Sequence, residues 1–375
     1  MYAVAAFVAG LVAAPAPAGA PLGQLAASHQ QRPLVQRLSL QQLAGQRIVY
    51  AYSGLKPPAS LLAAIRAGEA AGVMLFGPNI SNDGQLRGVI DQLQRASLAG
   101  SLHNRLLILT DQEGGQVRRV PGAPARSEKQ IGEAADPVAA AGTAGTGAGR
   151  NLRGVGVNVN LAPVLDVYRR SGNFIDEFQR SYSNDPQIVA ELGAAFIAAQ
   201  QRLGVAATAK HFPGLGSASR SQNTDLGPVT IRSSLSTLRT DDEAPYLSAI
   251  TAGVKLVMTS WAVYPALDPR LPAGLSPAVI EDELRGRLGF AGVTITDGIE
   301  AGALVRFGSV GNRAVLAASA GSDLILCATT NPDDNTPALG TAARNAIASA
   351  LAHGRLAHDA AEQSAGRVLD LRENP

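Results

Sequence analysis

Ala206-Ala-Thr-Ala-Lys-His-Phe-Pro-Gly-Leu-Gly216 runs from a short apolar segment into two adjacent polar side chains, Lys210 and His211, and then into a Pro-Gly turn. An apolar run that stops at polar residues followed by proline and glycine reads as a buried strand delivering side chains to a loop at its carboxyl end. The same design recurs in both directions along the chain. Arg47 to Tyr52, Gly72 to Phe76, Leu106 to Thr110, Val157 to Leu161, Ala206 to Lys210, Leu256 to Ser260, Val293 to Thr296 and Asp323 to Cys327 are candidate strands, separated by helical patterns such as Pro186 to Leu203. Strands alternating with helices imply a parallel sheet. Eight such units, with no linker or charge block between them, predict an α/β fold: one (β/α)8 TIM-type barrel in a single domain over residues 38–375. Residues 1–37 are expected to form a leader and flexible segment, and Gly340 to Asn374 a closing helix packed outside the barrel.

The strand ends carry the chemistry. Polar and glycine-rich clusters follow them at Gly77 to Asn79, Asp111 to Gly115, Ala162 to Asp166, His211 to Gly216 and Asp297-Gly298. In such a barrel the carboxyl ends of all strands open on one face, where active sites are built. Asp297 can therefore point into the mouth, though an aspartate in that place also serves commonly as a helix cap. Asp111 can bind ligand hydroxyls with Arg118 or Arg119 nearby, or it can form an ion pair that only shapes the loop. Lys210 and His211 together are more specific than either alone, because they share a face with both carboxylates.

Composition excludes other classes. Lys and Arg number 32 against 30 Asp and Glu, with no dense basic block, so neither nucleic acid nor an anionic membrane surface is an expected partner. The one cysteine, Cys327, lies in an apolar run and rules out a disulfide framework or cysteine metal site. Ala14-Pro-Ala-Pro-Ala-Gly-Ala20 resembles the end of a secretory signal, without a basic region before it. Export is expected, with a cytoplasmic location as the alternative. No cysteine follows to carry a lipid anchor, and no other stretch is long and apolar enough to span a membrane.

Ala71-Gly-Val-Met-Leu-Phe-Gly77, Asp111-Gln-Glu-Gly-Gly115, Gly156-Val-Asn-Val-Asn-Leu-Ala-Pro-Val-Leu-Asp166, Lys210-His-Phe-Pro-Gly214 and Thr294-Ile-Thr-Asp297 occur in an order and spacing that resembles glycoside hydrolase family 3. They look most like its single-domain β-N-acetylglucosaminidase branch. The resemblance runs from about residue 38 to about residue 330. It implies that Asp297 is a nucleophile forming a glycosyl-enzyme intermediate, hydrolysed with retention. It also implies that Asp111, Arg119, Arg180, Lys210 and His211 hold the N-acetylglucosamine unit, and that no metal or organic cofactor is needed. The substrate would be a glycan ending in β-linked N-acetylglucosamine, such as a cell-wall or chitin-derived fragment, and the protein a monomer.

Two departures qualify the resemblance. The branch carries an Asp-x-His dyad in the loop after Lys-His-Phe-Pro-Gly, whose histidine serves as general acid and base. Here Ser221 and Asn223 occupy those positions. Of the five histidines, His29 belongs to the leader, His103 precedes a strand, His353 and His358 fall in the tail, and only His211 is at the mouth. Asp225 is the nearest group able to replace the missing acid, given a pKa raised by burial or by Asp297. The second departure is Trp261, where many relatives have histidine. It either stacks on a sugar or packs beneath the loops. A pseudoenzyme that binds carbohydrate without turnover, and a phosphorylase, remain as alternatives; loss of the histidine counts against the phosphorylase.

Overall fold

The computed structural model describes residues 34–329 and 331–375, so nearly all of the expected leader lies outside the described residues. Residues 34–37 do not behave as a flexible segment. Val35 is buried, and the Leu38 amide donates to the Val35 carbonyl (3.1 Å) as the chain enters the barrel. Ser39 then opens the helix Leu40–Gly45 with a capping box, its Oγ accepting from the Gln42 amide (3.2 Å) while Gln42 Oε1 accepts from the Ser39 amide (3.1 Å).

Eight parallel strands make the barrel: β1 Ile48–Tyr50, β2 Gly72–Met74, β3 Leu107–Thr110, β4 Val159–Asn160, β5 Ala206–Phe212, β6 Leu256–Thr259, β7 Val293–Thr296 and β8 Ile325–Cys327. They pair in the order β7-β6-β5-β4-β3-β2-β1-β8. The ring closes between β7 and β8 through the Ile295–Leu324 bridge. Each of the eight expected strands is found. Their residues are buried on both faces, as a parallel sheet covered by helices requires. Val49, Leu107, Leu109, Val159, Leu256 and Ile295 fill the interior, whereas Ile48, Tyr50, Val73 and Ile108 pack outward against helices.

The tail departs from expectation. Instead of one outer helix, Pro337–Ala352 and His358–Glu373 are separated by a turn at Gly354, whose φ of +67° favours glycine. The second helix reaches the amino ends of the strands. Arg372 is buried there, with its guanidinium donating to Gln46 Oε1 and to the Ala70 carbonyl (3.5 Å). The bottom of the barrel is thereby covered, and the carboxyl ends of the strands remain for a site. Two short hairpins, Gln112–Gly114 with Val117–Arg118 and Val263–Tyr264 with Asp268–Pro272, rise above that upper face. Among the described residues no helix is long and apolar enough to cross a membrane.

Candidate active site

A cavity of about 220 Å³ opens at the upper face, with Asp111, Arg119, Arg180, Lys210, His211, Asp225 and Asp297 all on its wall. Met74, Phe76, Leu161, Met258 and Leu326 supply an apolar floor and sides, and Thr329 and Pro332 complete the rim after β8. Of the residues expected to act, only Trp261 is elsewhere.

Lys210 comes from β5 and Asp111 directly follows β3, so the barrel itself brings them together. Lys210 Nζ donates to Asp111 Oδ1 (3.0 Å) and lies 2.8 Å from Glu113 Oε1. Glu113 also takes a two-pronged contact from Arg180, Nε to Oε2 (2.9 Å) and Nη2 to Oε1 (2.8 Å). Burial pushes the Glu113 carboxyl up, but the Arg180 and Lys210 charges outweigh it and hold the group down at about 2. Burial alone would lower Lys210; Asp111 and Glu113 reverse that and raise it, so the ammonium stays charged. Glu128 stands behind this network with Oε1 accepting from the Val164 amide (2.9 Å). Burial and the Glu113 charge push it well above the usual carboxylate range. Arg119 lies nearer the surface, its Nε 3.8 Å from Asp111 Oδ2. Arg118 instead turns away and donates to the Gly122 carbonyl (2.7 Å).

His211 is oriented from behind. Asp166 Oδ1 accepts from the Leu215 amide (2.6 Å) and the His211 amide (3.3 Å), and Asp166 Oδ2 lies 2.7 Å from His211 Nδ1. A carboxylate accepts here from the ring as well, so Nδ1 carries a hydrogen toward Asp166 and Nε2 is the ring's other polar atom. The Asp166 carbonyl in turn accepts from Ser181 Oγ (2.5 Å), which fixes the segment carrying Arg180. Glu113 and Asp166 were not singled out from sequence, although both lie in the motifs quoted above. Two cations, the buried Lys210 and the half-buried Arg180, need more negative charge than Asp111 supplies, and that imbalance is the signal pointing to Glu113.

Asp297 directly follows β7, with Oδ1 accepting from the Gly298 amide (2.7 Å). Asp225 stands in an irregular loop, open to solvent on its outer side, and shares the cavity with Asp297. The enclosing walls first, and then the Asp297 charge, push its carboxyl up to about 6 against the opposing pull of Arg180 and His211. Asn223 caps that loop, its Oδ1 accepting from the Asp225 amide (2.8 Å). The remaining described histidines are remote from the cavity: His103 lies 3.0 Å from the Leu98 carbonyl, His353 lies 2.7 Å from the Ser349 carbonyl, and His358 is 3.3 Å from Glu362. His29 lies outside the described residues.

Trp261 must be corrected as a sugar platform. It is 1% exposed, its Nε1 donates to the Gly298 carbonyl (2.9 Å), and its ring edge lies against Gly274, where an added Cβ would come within 2.5 Å of it. With its ring buried, it has no face to offer a ligand. Among the described residues no group of three or more His, Cys, Asp or Glu side chains is arranged to hold a metal ion.

Residues 35–371 match the glycosyl hydrolase family 3 N-terminal domain. Over 331 residues the chain is 48% identical to an uncharacterized secreted glycosyl hydrolase of Arthroderma benhamiae, covering 88% of this chain and 92% of that one. A beta-hexosaminidase of Xanthomonas oryzae pv. oryzae is 35% identical over 263 residues, 68% of this chain and 75% of the relative. The fold is similar to that of a family 3 beta-N-acetylglucosaminidase from Paenibacillus sp., with a TM-score of 0.83 and 35% identity over 90% of this chain. This chain spans 62% of that longer protein.

Proposed function

The chain belongs to glycoside hydrolase family 3, and on that premise we propose that it is a secreted, retaining β-N-acetylhexosaminidase that removes terminal β-linked N-acetylglucosamine from cell-wall or chitin-derived glycans. The observation that carries the reading is the pair of carboxyl groups on one cavity wall, Asp297 held by the Gly298 amide and Asp225 pushed up to about 6. Two carboxyl groups facing one cavity, one placed to attack and the other raised so that it can carry a proton, are the equipment of glycoside hydrolysis.

In the first step Asp297 attacks the anomeric carbon and the bond to the leaving oxygen breaks. Asp225 gives that oxygen its proton. In the second step Asp225, now a carboxylate, takes a proton from water, whose oxygen attacks the same carbon and releases Asp297 with overall retention. Lys210, Asp111, Arg180, Arg119 and His211 Nε2 offer donors and acceptors for the hydroxyl and amide groups of the sugar. Because Lys210 and Arg180 are already held by Glu113, their positions are set before substrate arrives. Secretion is supported by the similarity to a relative named as secreted.

The test uses a 4-nitrophenyl N-acetyl-β-glucosaminide beside an unactivated N-acetylglucosamine disaccharide. Both are expected to be turned over, and Asp297→Asn is expected to lower turnover of both by roughly 10⁴-fold or more. Binding of the disaccharide with no turnover of either compound sinks the hydrolase reading and favours a carbohydrate-binding pseudoenzyme. The cavity position of Asp225 argues against that outcome.

A further inference from the structure

Asp225 sits in a loop without strand or helix of its own, yet a proton donor has to stand at a fixed place relative to the nucleophile. Its backbone is held by the segment that follows Asp297. The Gly302 amide donates to the Asp225 carbonyl (2.8 Å) and the Ala303 amide to the Thr224 carbonyl (3.0 Å). The approach is very close. A Cβ built on Gly302 would lie 2.5 Å from both the carbonyl carbon and oxygen of Leu226 and 2.8 Å from the Asp225 carbonyl oxygen. These are backbone atoms with no side chain that can swing aside. Only Gly298 to Ala301 separate Asp297 from Gly302, and that stretch is tied to the barrel. The Ile299 amide donates to the Leu326 carbonyl (2.9 Å), the Ala301 amide to the Gly298 carbonyl (3.1 Å), and Trp261 to the same Gly298 oxygen (2.9 Å).

We propose that Gly302 is a positioning residue for the reaction: its missing side chain lets the Asp225 loop dock on the turn behind the nucleophile, and this docking sets where Asp225 stands relative to Asp297. The inference rests on the assignment of Asp297 as nucleophile and Asp225 as proton donor. It gives the buried Trp261 a purpose as well, since that ring anchors the turn through Gly298. The geometry also provides a control in the same loop. Gly227 has open space where a Cβ would be, with nothing within 4 Å, so an added methyl there leaves the docking intact.

The experiment compares Gly302→Ala with Gly227→Ala on the unactivated disaccharide and on the 4-nitrophenyl glycoside, whose leaving group needs little protonation. Gly302→Ala is expected to lower kcat on the disaccharide by about 10- to 100-fold with KM nearly unchanged, since a misplacement on the order of 1 Å costs that much. The loss on the 4-nitrophenyl compound is expected to be several-fold smaller, the alkaline limb of the pH profile is expected to shift, and Gly227→Ala is expected to match the parent on both substrates. Ala303→Pro deletes the second docking amide without placing bulk against Leu226. It is expected to show the same selective loss, and it carries the test if Gly302→Ala does not fold. Equal loss on both substrates, or no loss on either, in a variant with the parent's thermal midpoint overturns the positioning role while leaving the enzyme assignment standing. A parent that turns over neither substrate overturns the enzyme assignment itself, and the positioning role with it.

Discussion

On one side of the cavity Asp111, Arg180 and Lys210 are held by charge and His211 by its hydrogen bond to Asp166: each is tied to a carboxylate or cation that is itself buried, and the barrel brings them together. On the other side Asp225 is held by its main chain, through amides donated by a neighbouring turn and a glycine that keeps the two backbones close. The first kind of support is sensitive to the identity of side chains and to pH; the second is sensitive to bulk and almost indifferent to charge. A site can thus keep a rigid sugar platform while its proton donor comes from a quite different local construction.

The largest expected effect that separates the two sides is Asp225→Asn. It should lower kcat on the unactivated disaccharide by roughly 10²- to 10⁴-fold and much less on the 4-nitrophenyl glycoside, with KM within a few-fold of the parent. A rise in KM without a fall in kcat would place Asp225 with the binding groups and dissolve the distinction. Next, Glu113→Gln leaves the buried Lys210 and the half-buried Arg180 without their shared anion and should cost about 3 kcal/mol of stability in denaturant unfolding. The Glu113 carboxyl is depressed to about 2 from an ordinary value of 4.5, so its contribution is complete above about 4.5 and is lost as pH falls toward 2. That part of the acid-side loss should be missing in the variant; if the two acid unfolding curves coincide, charge is not what holds this wall.

Smaller, and on the loop side, is the pH dependence of turnover. Because Asp225 must carry its proton when the leaving oxygen departs, kcat on the disaccharide should fall above about 6, by about tenfold per pH unit once past that value. Asp225→Asn should remove the limb, and a limb that survives it belongs to another group. The smallest expected effect is that of Trp261→Phe, which deletes the hydrogen bond to Gly298 and should cost about 1 kcal/mol of stability. KM for the disaccharide should stay unchanged, whereas a sugar-stacking ring would raise it.

What could be read from sequence follows the same division. The strands announce themselves because β1 to β8 are apolar on both faces and end in polar or glycine-rich turns, and from those ends Asp111, Lys210, His211 and Asp297 were expected at the mouth. Asp225 was reached by elimination and does line the cavity. Side-chain partners were less legible. Glu113 and Asp166 look like ordinary members of their motifs until the fold places two cations beside one and an imidazole beside the other. Nothing local to Trp261 tells whether the ring faces a ligand or the underside of a loop, since that depends on Gly274 and Gly298, which come from other segments. The break between the last two helices rests on a turn at Gly354 inside an Ala-rich pattern that otherwise continues. The docking of Gly302 depends on a distance between backbones that no periodicity encodes.

The seam of the barrel has a consequence for how the protein is made. β8 pairs with β1 on one side and bridges to β7 on the other, and the seam is fastened by Asp323, which accepts from the Thr294 amide (2.9 Å), from Arg285 (2.6 Å) and from Arg367 (2.7 Å) in the last helix. A ribosome delivering the chain from its amino end must therefore release Ile325 to Cys327, and then Arg367, before β1 finds its second neighbour. Throughout that interval the early strands carry an open edge of the kind that pairs with other chains. The nascent protein stays exposed to such pairing until β8 has emerged, and slow elongation between β1 and β8 lengthens the exposure.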